Sequence, residues 1–80
     1  MNFKNVYESV FDLTPGIYND KYYGNSKGQL IKRENLIKMN KYLISKNIRT
    51  DNEFKQFLID EKIDGFMALT LFIDYNLSDY

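Results

Sequence analysis

The chain contains no cysteine and no histidine in its 80 residues, and this absence most constrains how it can fold. No disulfide framework and no thiolate zinc site is possible, so the fold has to rest on buried apolar side chains. Six phenylalanines and seven tyrosines are available for that burial. A chain of this length is too short for two independent cores. We therefore expect one compact helical domain over residues 1–80, held largely by aromatic packing.

The same absence removes the commonest catalytic and metal-binding chemistry. Without a thiol or an imidazole, an enzyme would depend on carboxylates, lysine or tyrosine. The sequence has no nucleophile-elbow motif, no glycine-rich phosphate loop and no spaced acid pair. Asp74-x-Asn76-x-Ser78 matches the opening of a calcium loop but lacks its turn glycine and distal glutamate. We expect no enzymatic activity, no cofactor, no metal site and no small-molecule substrate.

An apolar stripe at helical spacing opens the sequence. It recurs at i, i+3, i+4, i+7 and i+8 in Phe3, Val6, Tyr7, Val10 and Phe11. This spacing predicts a first helix over about residues 2–13, which Thr14-Pro15-Gly16 ends because proline disfavours a helical residue before it. Residues 17–25 carry turn formers and are too short for a helix, so they predict a loop or a short hairpin.

Two sequences with capping-box spacing predict the next helix starts. Ser26 and Gln29 precede recurring leucines and isoleucines, which predicts a second helix over about residues 27–46. Thr50 and Glu53 have the same spacing and predict a third helix that runs to about Lys62. The sequence thus predicts a second and a third helix after residue 26.

The segment 66–73 is apolar on every side, which predicts the most buried element of the chain. Its length and its Met, Ala and Leu content favour a helix capped by Asp64, although residues 70–73 have strand character and leave a strand open. We expect a mainly α fold. Its predicted architecture is a small four-helix orthogonal bundle with a Tyr-rich loop or short hairpin between helices 1 and 2.

A stretch in this second half resembles the middle of a sterile alpha motif domain. The resemblance is carried by Leu58, Ile63-Asp64-Gly65, Leu69, Leu71 and Leu77. The leucine spacing after Gly65 is shifted, Phe72 stands where the family has a threonine, and residues 1–35 have no counterpart. The resemblance implies a compact helical bundle that serves protein contacts, and we carry no function over from it.

Charge is strongly polarised although the net charge is zero. Residues 27–49 carry seven bases against Glu34, whereas residues 50–80 carry seven acids against two bases. Lys38 and Lys41 on the second helix are candidates for binding nucleic acid or an acidic protein, and Asp74 and Asp79 for binding a basic partner. The alternative is that these charges compensate each other across a helix seam or are simply solvated.

Tyrosines in the first loop form a second candidate binding feature. Tyr18, Tyr22 and Tyr23 lie among Asn, Asp and Gly, a composition typical of contact surfaces. The alternative is that two of the three rings fold back and cover a small core.

These observations favour a small non-enzymatic protein-interaction module that binds and modulates, by inhibition, a larger protein or nucleoprotein complex. Asn, Lys, Ile and Tyr make up 33 of the 80 residues, and their AT-rich codons point to a bacterium of low GC content, its phages or its mobile elements. An inhibitor of a host defence factor such as a CRISPR complex is one concrete form. The alternative function is a nucleic-acid-binding accessory or regulatory protein that uses the basic helix 27–49. No apolar run is long enough for a bilayer, so we expect a cytoplasmic protein without a membrane partner.

Overall fold

Four helices and a small antiparallel sheet make up the described part of the chain. The computed structural model describes residues 3–80, with the side chains of residues 15–19 outside the description. In chain order the elements are helix α1 (Lys4–Phe11), strands β1 (Thr14–Asn19), β2 (Tyr22–Gly24) and β3 (Leu30–Lys32), and helices α2 (Arg33–Ser45), α3 (Asp51–Asp60) and α4 (Phe66–Asn76). The mainly helical class is confirmed, whereas the orthogonal bundle is not confirmed.

The sheet occupies the position where the sequence predicts a loop or a hairpin. Its strand order is β1-β2-β3, with both neighbouring pairs antiparallel. Thr14 pairs with Gly24 and Asn19 with Tyr22, and the register changes between these two pairs. Thr14-Pro15-Gly16 therefore starts a strand rather than a turn, and β1 tolerates proline because it lies at the sheet edge.

The second helix begins later than the sequence predicts. Residues 30–32 form β3, so α2 starts at Arg33 and the interpretation of Ser26 and Gln29 as a capping box is wrong. The buried Asn25 side chain organises this loop instead. Its Oδ1 accepts hydrogen bonds from the amides of Lys27 and Gln29, and its Nδ2 donates to Gln29 Oε1 at 2.7 Å. An Asn side chain that bonds nearby amides competes with helix formation.

Asp12 ends α1 and ties it to the same loop. The residue has a left-handed backbone with φ 59°, and its amide donates to the Tyr7 carbonyl. Its carboxylate accepts from the Ser26 amide at 3.0 Å and from the Ser26 hydroxyl. These hydrogen bonds to Ser26 hold the pKa of Asp12 below its usual range. Helix α1 thus ends just before the Leu13 boundary expected from the sequence, and the loop between β2 and β3 is anchored to it.

Helix α3 begins where the sequence predicts, and the segment that the sequence left open between helix and strand is helix α4. The Thr50 side chain accepts from the Glu53 amide, and the Glu53 side chain accepts from the Thr50 amide, which completes the capping box. Residues 66–76 are helical. The predicted cap at Asp64 is wrong, because Gly65 is the N-cap, with φ 89° and no side-chain cap. That backbone conformation favours glycine.

Two aromatic clusters hold the helices together. The first cluster joins α1 to α3 and consists of Phe3, Tyr7, Phe11 and Phe54. The second cluster joins α2, α3, α4 and the residues after α4, and consists of Tyr42, Phe57, Phe72 and Tyr80. The Cα radius of gyration is 11.7 Å, about the value of a compact globule of this length.

Phe54 should be the most sensitive position of the first cluster. Its side chain is fully buried, and its ring centroid lies 4.9 Å from that of Phe3 and 5.4 Å from that of Tyr7. We expect Phe54→Ala to lower the free energy of unfolding by about 3–5 kcal/mol in urea denaturation. Ile59 on the same helix is 69% exposed, so Ile59→Ala should change it by no more than about 0.5 kcal/mol. Equal losses in both variants would refute this assignment of the core.

The Asp12–Ser26 interaction should make stability depend on pH in the acidic range. Because the folded pKa lies below the unfolded value of about 3.9, the interaction stabilises the fold above about pH 4 and is lost as the pH falls through the folded pKa. Wild type should therefore be more stable than Asp12→Asn at neutral pH, and denaturation curves should converge on acidification. Ser26→Ala keeps the amide donor and should show a smaller loss. A difference that does not vary with pH would contradict this account.

Candidate functional site

Tyr22 and Tyr23 are adjacent in sequence but serve opposite faces of the sheet. Successive side chains of a strand point to opposite sides, and Tyr22 pairs with Lys32 while Tyr23 pairs with Ile31. Ile31 is buried, and Tyr23 packs against the core. Leu30 and Lys32 are exposed on the face of Tyr22. Of the predicted tyrosines, Tyr23 therefore contributes to the core, whereas Tyr22 lies on the outer face of the sheet.

The outer face of the sheet forms a groove with α4. Tyr22, Leu30 and Lys32 line it from the sheet. Met67, Thr70 and Asp74 line it from α4. The groove brings together Tyr22 and Asp74, two residues that the sequence singles out as partner-binding candidates from segments more than 50 positions apart.

Beyond this groove, α4 presents an exposed apolar stripe. Met67, Leu71 and Tyr75 recur every four residues and are 59%, 45% and 79% exposed. Residues at this spacing lie on one helix face. The opposite face of α4 is buried through Phe66, Leu69 and Ile73. We define the β3–α4 surface as Tyr22, Leu30, Lys32, Met67, Leu71, Asp74 and Tyr75.

Met67 and Leu71 are contact candidates that the sequence analysis missed. The sequence predicts that the whole segment 66–73 is the most buried element, because a segment apolar on every side has no periodicity that marks an outer face. The spacing of the two side chains at i and i+4 is visible in the sequence. It becomes informative only when Leu69 and Ile73 are known to face the core.

The other predicted contact residues lie apart from this surface. Lys38 and Lys41 are on α2, where Lys41 is exposed and Lys38 half-buried, and Glu34 lies one turn before Lys38 on the same face. Asp79 is exposed after the end of α4. The Tyr18 side chain lies outside the described residues.

A separate pocket lies on the inner side, between α1 and α2. Its volume is about 260 Å³. Its apolar lining consists of Leu13, Leu36, Ile37 and the rings of Tyr7 and Tyr23, and its polar lining consists of Lys4, Glu8, Arg33 and Asn40. The Arg33 guanidinium carbon lies 5.0 Å from the Tyr23 ring centroid, in cation–π geometry.

Tyr7 supplies the buried polar contact of this pocket. Its hydroxyl donates to Asn40 Oδ1 at 2.8 Å, a bond that connects α1 to α2. Burial raises the pKa of Tyr7 far above its usual range, because the phenolate would lose its hydration. The hydroxyl therefore stays protonated and acts as a hydrogen-bond donor.

The polarised charges are displayed rather than paired with each other. Within residues 22–80 no base of 27–49 forms a salt bridge with an acid of 50–80. On α1, Lys4 forms an ion pair with Glu8. Lys46 lies 5.5 Å from the Tyr42 ring centroid instead. Compensation by salt bridges across a helix seam is therefore not seen in this part of the chain, and partner binding by these charged groups stays a prediction.

The described residues bring together no group of three or more metal-ligating side chains. Their helices are also too short or too polar to cross a membrane. Comparisons with protein-family models, with curated proteins and with solved structures find no significant match. The resemblance of residues 58–77 to a sterile alpha motif domain is therefore not supported by a family match.

The Tyr7–Asn40 hydrogen bond should be measurable as a coupling between two helices. A double-mutant cycle of Tyr7→Phe and Asn40→Ala should give an interaction energy of about 1 kcal/mol in urea denaturation. Tyr42→Phe removes a hydroxyl that has no recorded hydrogen bond in residues 22–80, so it should cost less than Tyr7→Phe. A coupling indistinguishable from zero would show that the bond does not connect the helices in solution.

Proposed function

We propose that the chain is a small, non-enzymatic protein-interaction module that binds a larger protein through the β3–α4 surface and modulates it by occupying that protein's own contact site. The observation that carries the proposal is the exposed apolar stripe of α4. Exposed apolar residues are ordinary when they are isolated. Here Met67, Leu71 and Tyr75 follow one another along a single helix face, and Leu30 lines the same groove as Met67.

The composition of this surface matches the centre of a protein interface. Methionine and tyrosine are enriched there, since both offer a large contact area and methionine adapts to irregular partners. Tyr22 and Tyr75 also carry hydroxyl groups that can hydrogen-bond at the edge of an apolar contact. Burying such a stripe against a partner removes it from water, which is the main driving force of association.

Charge at the β3–α4 surface favours a protein over nucleic acid. A surface that binds a phosphate backbone needs several bases, whereas this one combines Lys32 with Asp74. Residues 66–80 contain Asp74 and Asp79 and no base. We therefore assign the partner as a protein with an apolar patch and a basic residue at its rim, placed to face Asp74.

The test compares three forms of the tagged full chain in nuclease-treated extracts of cells that carry the gene. Leu71→Asp disrupts the stripe, and Ile59→Asp makes the same change at an exposed isoleucine of α3. We expect wild type and Ile59→Asp to retain a protein that Leu71→Asp loses. Calorimetry with that purified protein should show a Kd raised at least about tenfold by Leu71→Asp and changed less than about twofold by Ile59→Asp.

Three results would overturn the proposal. They are equal binding by Leu71→Asp, capture that depends on nucleic acid, and loss of binding in the Lys38→Glu/Lys41→Glu variant, which would assign the function to the basic helix. Sedimentation of the purified chain adds a fourth, since a dimer broken by Leu71→Asp would make a second copy the occupant. Thermal melts of each variant confirm that the comparison is between folded proteins.

A further inference from the structure

We infer that the pocket between α1 and α2 binds an aromatic carboxylate, meaning an aromatic ring that carries a carboxylate on a short chain. The pocket shares no lining residue with the β3–α4 surface, so this inference does not rest on the proposed function. It rests on the size of the cavity, on an unpaired arginine at its rim and on an unused amide donor.

The volume suits a single ring with a short substituent. A dry cavity of about 150 Å³ holds benzene, and drug-sized ligands occupy about 300 Å³ or more. At about 260 Å³ the pocket lies between these limits. Tyr7 and Tyr23 contribute aromatic walls, against which a ring can pack edge to face.

The charge balance of the lining favours an anion. Lys4 Nζ lies 3.8 Å from Glu8 Oε1, so these two charges offset each other. Arg33 has no described carboxylate within salt-bridge distance, although Glu34 is its neighbour in sequence. The pocket therefore keeps one uncompensated positive charge.

The position of Arg33 leaves its hydrogen-bonding edge available. The guanidinium carbon lies 5.0 Å from the Tyr23 ring centroid, and this cation–π contact restrains the side chain. The N–H groups at the edge of the plane can then bind a carboxylate through two parallel hydrogen bonds. The contact with Tyr23 reduces the entropy that the arginine loses on binding.

Asn40 supplies a second donor in the same pocket. Its Oδ1 accepts the Tyr7 hydroxyl, and that bond orients the amide group. Its Nδ2 has no recorded partner among the described residues, so both N–H groups are available to a ligand. We infer that a ring packs between the apolar walls with its carboxylate at Arg33, in a pocket that the Asn40 amide also lines.

The test is an NMR titration of the ¹⁵N-labelled full chain with 3-phenylpropionate. A fragment of this size should bind with a Kd on the order of 1 mM and shift the amide signals of Tyr23, Arg33 and Asn40. The neutral 3-phenylpropanamide should bind wild type at least about tenfold more weakly, because it lacks the charge. Absence of saturable shifts, or equal affinity for the acid and the amide, would overturn the inference.

Matched variants locate the interaction. Arg33→Gln should weaken 3-phenylpropionate binding at least about tenfold, whereas Lys32→Gln, the same change of charge one residue earlier on the outer face, should alter it less than about twofold. Equal weakening of 3-phenylpropionate binding by Arg33→Gln and Lys32→Gln would show that the ligand responds only to long-range electrostatics, and it would refute the site. The comparison of acid and amide on wild type does not depend on how either variant folds.

A peptide ending in phenylalanine with a free carboxylate, compared with its C-terminal amide, assigns the source of the ligand. Tighter binding of the free peptide than of 3-phenylpropionate would identify the C-terminus of a protein. Weaker binding would identify a free aromatic acid. In both cases the pocket binds an aromatic ring and a carboxylate, and only the molecule that carries them differs.

Discussion

Helix α3 is the element on which the rest of the structure depends, because it contributes one ring to each aromatic cluster. Phe54 packs on α1, and Phe57 packs with Tyr42 of α2 and Phe72 of α4. A chain without cysteine has no disulfides and therefore depends on such burial for its stability, to which edge-to-face aromatic pairs add. The capping box at Thr50 fixes where this helix begins and therefore where both rings lie.

This arrangement decides which surfaces remain uncovered. The second cluster holds one side of α4 against α2 and α3, and Leu69 and Ile73 bury the adjoining face. No element of the described chain covers the opposite face, so Met67, Leu71 and Tyr75 stay in contact with water. The residues after α4 are anchored by Leu77 and by the Tyr80 ring on Tyr42, and they extend the helix packing instead of covering the stripe.

The sequence predicts elements well where one local pattern dominates. The spacing of Phe3, Val6, Tyr7 and Phe11 and the Thr50–Glu53 box indicate α1 and α3, and their apolar positions are largely the buried ones. The predicted helix start at Ser26 is wrong, because the spacing of Ser26 and Gln29 is compatible both with a helix cap and with a loop between two strands. A helix cap and a loop organised by Asn25 use the same residue types, and the pairing of β3 with β2 is a long-range contact that selects the loop. The candidate site is harder to predict from the sequence than these elements. The exposed face of α4 can be recognised only when the residues that pack its other face against the core are known.

The two proposed binding surfaces lie on opposite faces of strand β2. Tyr22 lines the outer groove and Tyr23 the inner pocket, so the two share the backbone of β2 but no lining side chain. Lys32 of the groove and Arg33 of the pocket are likewise adjacent in sequence. Side-chain substitutions can therefore alter one surface without touching the other. Arg33 follows β3 directly, and its amide donates to the Lys21 carbonyl in the turn between β1 and β2. A ligand that fixes Arg33 would also restrain this turn and the Tyr22–Lys32 pair beside it, so the hydrogen bonds of the sheet offer one route for energetic coupling between pocket and groove.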